Sequence, residues 1–338
     1  MSAAQPAVLR CLLAALLWVA AGPAWAAELS APLVLEATIP LPNTGGRIDH
    51  MAVDLRRGRL FVAELGNGAL DVVDIAGRRV VHRVSGLKDP QGVGYSPGAD
   101  IVSVASAGDG SVRLLRGEDL SPAGVINLGD DADNVRVDLR SGQVFVGYGS
   151  GGLAIVDPAT RSIVSRAQLP AHPEGFEIDP ARRRAYVNVP DARQIAVVDL
   201  GTGQQTAAWQ APGLRSNYPM ALDETRIVLA TVFWRPARLV LLDTGSGAVT
   251  ANLETCGDAD DVFFDSRRHR IYVSCGAGSV DVFQAGAGGY SRLDRVATGS
   301  GARTSLFVPE LDRLFVAARA GFLGLGPGAA ILVLRPQP

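Results

Sequence analysis

Seven short stretches of this 338-residue chain carry polar residues at one recurring position, just ahead of an apolar-x-apolar group: Asp49-His50, Gln91, Asp133-Asn134, Glu174, Asn217-Tyr218, Asp260-Asp261 and Arg303-Thr304. The groups that follow them end at Asp54, Ser96, Asp138, Asp179, Asp223, Asp265 and Val308, at intervals of 41 to 44 residues. Carboxylate and amide oxygens are hard ligands suited to Ca²⁺ or Mg²⁺, and Asp133, Asn134, Glu174 and Asp260 are the set a divalent ion would draw on. His50 and His172 are the residues of the right type for a general base or a transition-metal ligand. Asp and Asn also satisfy turn amides at strand ends, with no ligand involved. The variety of the seven positions favours a ligand, because a purely structural cap would repeat one residue in every unit. The ligand candidates on this reading are Asp49, His50, Asn134, Glu174, Tyr218, Asp260, Asp261 and Arg303, together with Asn188 and Arg235 from neighbouring loops.

What must hold these residues is legible in the same repeat. Each unit continues with a β-branched or aromatic run, such as Leu60-Phe61-Val62 or Ile271-Tyr272-Val273, and then a third run such as Leu70-Asp71-Val72-Val73-Asp74. Both are strands by composition, and no helical period competes. Six units add a fourth strand, but the seventh stops at Pro338 directly after its third. The stretch Leu33 to Ile39 has the missing pattern. Seven units of about 42 residues are a sequence signature of radial β architecture, and pairing the two chain ends removes the exposed edges of an open stack. The expectation is an all-β, seven-bladed β-propeller, one domain over residues 27–338, closed by the N-terminal strand. First strands then line a central channel. The seven polar positions gather at one of its mouths, where the loops carrying Glu64, Asp109, Asn188, Arg235 and Arg319 also open, with Trp234 beside them.

Phrases such as Arg59-Leu60-Phe61-Val62 and Val72-Val73-Asp74 on this period resemble those of bacterial YVTN-type β-propeller repeat proteins, over residues 33–335. The stretches His172-Pro173-Glu174-Gly175-Phe176, Gly257 to Val262 and Gly301 to Pro309 look like those of a periplasmic branch of that group. The resemblance implies fold and compartment, and hardly any chemistry. A six-bladed lactonase family that holds a divalent ion by Glu, Asn and Asp from separate blades is matched in residue type only.

Composition narrows the partners. A formal charge of −2 and arginines scattered along the chain, with Lys88 the single lysine, give no clustered basic surface, so no nucleic-acid partner is expected. Arg10, the apolar run Cys11 to Ala21 and the small-x-small group Ala24-Trp25-Ala26 read as a signal peptide over residues 1–26, with Arg10 arguing against a lipid anchor at Cys11. No later stretch is apolar for long enough to span a bilayer. A periplasmic or secreted chain is oxidised, and Cys256 and Cys275, one before the first strand of a unit and one ending its second, should meet at the mouth as a disulfide. There is no Cys-x-x-Cys-His for covalent haem, and no strand-to-helix Gly-x-Ser-x-Gly. The sequence therefore points to an exported binding or scaffold protein for a small molecule, a peptide or a protein partner. A metal-dependent hydrolase or lactonase with a channel ion is the alternative.

Overall fold

The computed structural model describes residues 1–2, 31–321 and 327–338. The expected signal peptide, apart from its first two residues, lies outside the described residues. Residues 31–338 form one compact unit of seven four-stranded antiparallel sheets, with no α-helix among the described residues. Six sheets run consecutively along the chain. The seventh joins Ser305–Val308, Arg313–Ala318 and Ala330–Pro336 to the N-terminal strand Leu33–Pro40. Leu33 lies opposite Pro336 and Ile39 opposite Ile331, with a bulge at Glu36 where Leu35 and Ala37 face successive partners. We number the blades from Met51 onward, so that this composite sheet is blade seven.

The blade-to-blade packing explains why the middle strands are almost continuously apolar. In blade one, Leu60 and Val62 point into a cluster shared with Phe315 and Ile331 of blade seven, while Phe61 and Ala63 point into one shared with Val93 and Val102 of blade two. Such a cluster lies between every pair of neighbouring blades. Because both faces of each sheet are buried, the usual in/out alternation disappears from the second and third strands. It returns in the outermost strands, as in the alternately exposed and half-buried Gln204–Trp209.

The recurring Asp residues also find their reason. Asp54, Asp179, Asp223 and Asp265 end first strands, and each accepts backbone N–H groups of the following turn, for example Arg56 at 3.0 Å and Arg182 at 2.9 Å. The arginine three residues on returns to the same carboxylate in all four, at 2.8 Å for Arg57 and 3.0 Å for Arg268. Asp157, Asp199 and Asp243 close third strands through the same Asx turn.

Candidate functional site

Several of the sequence-predicted residues do converge. His50, Asp133, Asn134, Glu174, Tyr218 and Asp260, from blades one, three, four, five and six, line one cavity at the channel mouth. Its volume is about 30 Å³, room for a water or two or for a small charged group. Each side chain comes from the start of a first strand or the loop leading into it, where the repeat turns the chain toward the axis.

The charges around this cavity are mostly paired. Asp49 is fully buried behind it, 2.9 Å from Arg47 and 3.9 Å from His50. Burial pushes its carboxyl up to about 6. Asp133 stands 3.6 Å from His172, and this contact raises the imidazole to about 9, so that His172 is cationic at neutral pH. The other nitrogen of that ring lies 2.6 Å from the Gly149 carbonyl. Arg303 bridges Asp258 at 2.7 Å and Asp260 at 3.2 Å, and sits over the Trp234 ring. Trp234 in turn packs on Tyr218, with centroids 4.2 Å apart. Arg319 is lowered, mainly by burial and then by the charges of Arg303 and Arg47.

Glu174 is the exception. No basic side chain among the described residues lies within ion-pair distance of its carboxylate. Burial, and after it the charge of Asp133, raises it to about 8. The Asn134 side-chain oxygen, on the same cavity, is buried and accepts no hydrogen bond from a described residue. With Glu174 ionised, the mouth presents two acceptors without donors. Among the described residues no three His, Cys, Asp or Glu side chains are grouped so as to hold a metal ion together.

Other expected residues stand elsewhere. Asn188 is fully buried between blades four and five, where its amide bonds the Tyr218 and Pro219 carbonyls, Thr231 and Asn217. Arg235 is exposed at the end of the blade-five strand Val228–Arg235 and does not line the cavity. Asp261 points into the channel below, where its carboxylate accepts the Ser305 N–H at 2.7 Å; burial lifts it to about 7. Arg47 and Arg136 line the mouth cavity without having been singled out in the sequence. For Arg136 the available signal was its place inside a first strand, Ala132–Val137, whose alternate residues face the axis.

Cys256 and Cys275 form a disulfide with Cα atoms 5.9 Å apart, both sulfurs buried. Because Cys275 pairs across the sheet with Ala259, the bond staples the loop carrying Asp258 to the strand beside it. Replacing both cysteines by alanine should lower stability by about 3 kcal/mol for a loop of this size. Urea unfolding with and without reductant measures it. Two reactive thiols in the unreduced, unfolded protein would contradict the bond.

No protein-family model matches the chain, and no curated protein sequence matches it. Among solved structures it is similar to a chain of Kuenenia stuttgartiensis hydrazine synthase, with a TM-score of 0.73 at 14% identity over 89% of this chain and 98% of that one. It is also similar to a chain in a crystal structure of the mitotic checkpoint complex, with a TM-score of 0.76 at 11% identity over 97% and 99%. At such identities these likenesses concern the fold. The chain is a seven-bladed β-propeller, an architecture that commonly serves as a scaffold or binding domain.

Proposed function

We propose that this is an exported, YVTN-type β-propeller that acts as a binding or scaffold protein, and that its channel mouth seats a cationic group, the amine of a small molecule or of a peptide or protein partner. The observation that carries this reading is the unpaired Glu174 carboxylate facing a cavity of about 30 Å³ beside the orphaned Asn134 oxygen. Once ionised, Glu174 and the Asn134 oxygen are two acceptors without donors, which calls for a ligand that donates, and burial of a carboxylate favours a ligand that brings the opposite charge. Export to the periplasm or beyond is supported by the leader-like residues 1–26 and by the disulfide, a bond of oxidising compartments. No described helix is long and apolar enough to cross a membrane.

The pH dependence gives the test its sign. With Glu174 at about 8, the empty mouth holds a proton at neutral pH. A cation that binds there expels that proton, so affinity should rise between pH 6 and 8 and calorimetry should find proton release. Benzylamine, lysine methyl ester and short peptides with free N-termini are suitable probes. Glu174→Gln should weaken them about tenfold and flatten the pH profile, at unchanged melting temperature within a few degrees. The reading fails if none of these amines binds. It fails equally if their binding survives Glu174→Gln and is lost instead on changing Arg268 or His269 on the opposite face. A stoichiometric divalent ion that is lost from Glu174→Gln would replace it with the metal-dependent hydrolase.

A further inference from the structure

The channel has a second end, and it is built differently. At the turns after the first strands, blades seven, one, two and three present Pro309, Leu55, Pro97 and Leu139, whereas blades five and six present Glu224 and Ser266. Leu55 and Leu139 are 44% and 73% exposed, on either side of blade two's Pro97. They border a cavity of about 380 Å³. A second cavity of about 340 Å³ fills the channel above it, and Val53, Tyr95, Leu139 and Leu306 line both, so the two are continuous. Together they have the size and apolar walls of a small-molecule site.

The inner end of this tunnel is polar. Arg136, Glu177, His50 and Asp261 close it. Arg136 faces Glu177 through Nε at 3.5 Å and uses Nη1 to bond the Val135 carbonyl at 3.0 Å, which leaves Nη2 without a partner among the described residues. An anionic head would meet the carboxylates of Glu177 and Asp261, and a cationic one would meet the guanidinium of Arg136. An uncharged acceptor meets neither penalty and can take hydrogen bonds from the guanidinium.

We infer that the channel, entered from the face opposite Glu174, is a binding site for an elongated apolar molecule that carries a neutral carbonyl or amide at its leading end. The site shares His50 and Arg136 with the mouth cavity at its inner end and differs from it in its opening and in its apolar walls. Displacement of the fluorescent probe N-phenyl-1-naphthylamine tests it. Straight-chain amides from hexanamide to dodecanamide should displace the probe, each added methylene tightening binding about threefold to fourfold until the tunnel is full. The carboxylates and alkylammonium ions of equal length should bind at least tenfold more weakly.

Leu139→Trp changes a side chain that is 73% exposed, so the fold should tolerate it while the indole covers the rim. It should weaken amide binding about tenfold, while Glu174→Gln leaves amide binding untouched. Arg136→Met should abolish the preference for amides over alkylammonium ions. No displacement by any chain length would overturn the inference, as would equal binding of acids, amines and amides, or binding indifferent to Leu139→Trp. Displacement by the amides and its loss in Leu139→Trp do not depend on whether amines bind at the mouth, so each proposal can fail without the other.

Discussion

A chain that begins at Gly45 is expected to lose its cooperative thermal transition, or to keep it only as an oligomer that borrows a strand from a second copy. The truncation removes the outer strand of blade seven and with it Leu33, Ile39 and Leu41, each at most 2% exposed. Burial of three such side chains is worth roughly 5 to 9 kcal/mol. That is of the same order as the whole stability of an ordinary domain, about 5 to 15 kcal/mol. The ladder from Leu33–Pro336 to Pro40–Ala330 is lost as well, which leaves the strand Ala330–Pro336 as an open edge. Circular dichroism melting and light scattering decide the matter. A monomer that melts with the full-length chain would show that closure contributes little.

The second large effect is expected at Asp281. This carboxylate is fully buried in the third strand of blade six and receives Arg295 at 2.6 and 2.9 Å, the Cys256 N–H at 2.9 Å and the Thr255 hydroxyl at 3.2 Å. Asp281→Ala returns the 45% exposed Arg295 to water and strands the buried Cys256 N–H and Thr255 hydroxyl. Leaving two buried donors without their acceptor costs about 2 to 6 kcal/mol, or roughly 3 to 9 °C in melting temperature for a domain of this size. Arg295→Ala should cost less, because Arg292 at 3.6 Å and the two remaining donors still face the carboxylate. Equal melting of Asp281→Ala and the parent would mean that water replaces the lost contacts. Blade one repeats the device with Asp71 and Arg83, 2.6 Å apart, so the comparison can be made twice.

These two cases mark what could be read from residues in order and what could not. The repeat period, the missing fourth strand and its N-terminal substitute are local patterns. A strand's composition is written in its own residues, so the propeller and its closure followed from the sequence. The disulfide followed too, because the unit places both cysteines at one end of neighbouring strands. Asp71 and Asp281 read as ordinary polar breaks in a strand, because nothing nearby announces that an arginine 12 or 14 residues later folds back onto them. Asn188 had the same residue type and a loop position much like those of the mouth residues. Only packing shows that blade five consumes its amide while Glu174 is left without a partner. Charge pairing between blades is a property of the ring, and no single unit contains it. The apolar far mouth escaped for a related reason, since Leu55 and Leu139 are unremarkable alone and form a rim only when the turns are brought around the axis.

The closure of blade seven also sets a timetable. Leu33 pairs with Pro336, so the first strand to emerge during synthesis waits for nearly the last one, about 300 residues later. At roughly 5 to 20 residues per second that wait is on the order of 15 to 60 seconds. The six internal blades can each form hairpins from adjacent strands within microseconds, but the ring cannot lock until the strand Ala330–Pro336 has emerged. Its longest-range contact is therefore also its last, and chains that stop short of residue 330 are left with an unpartnered strand at each end, ready to pair with one another.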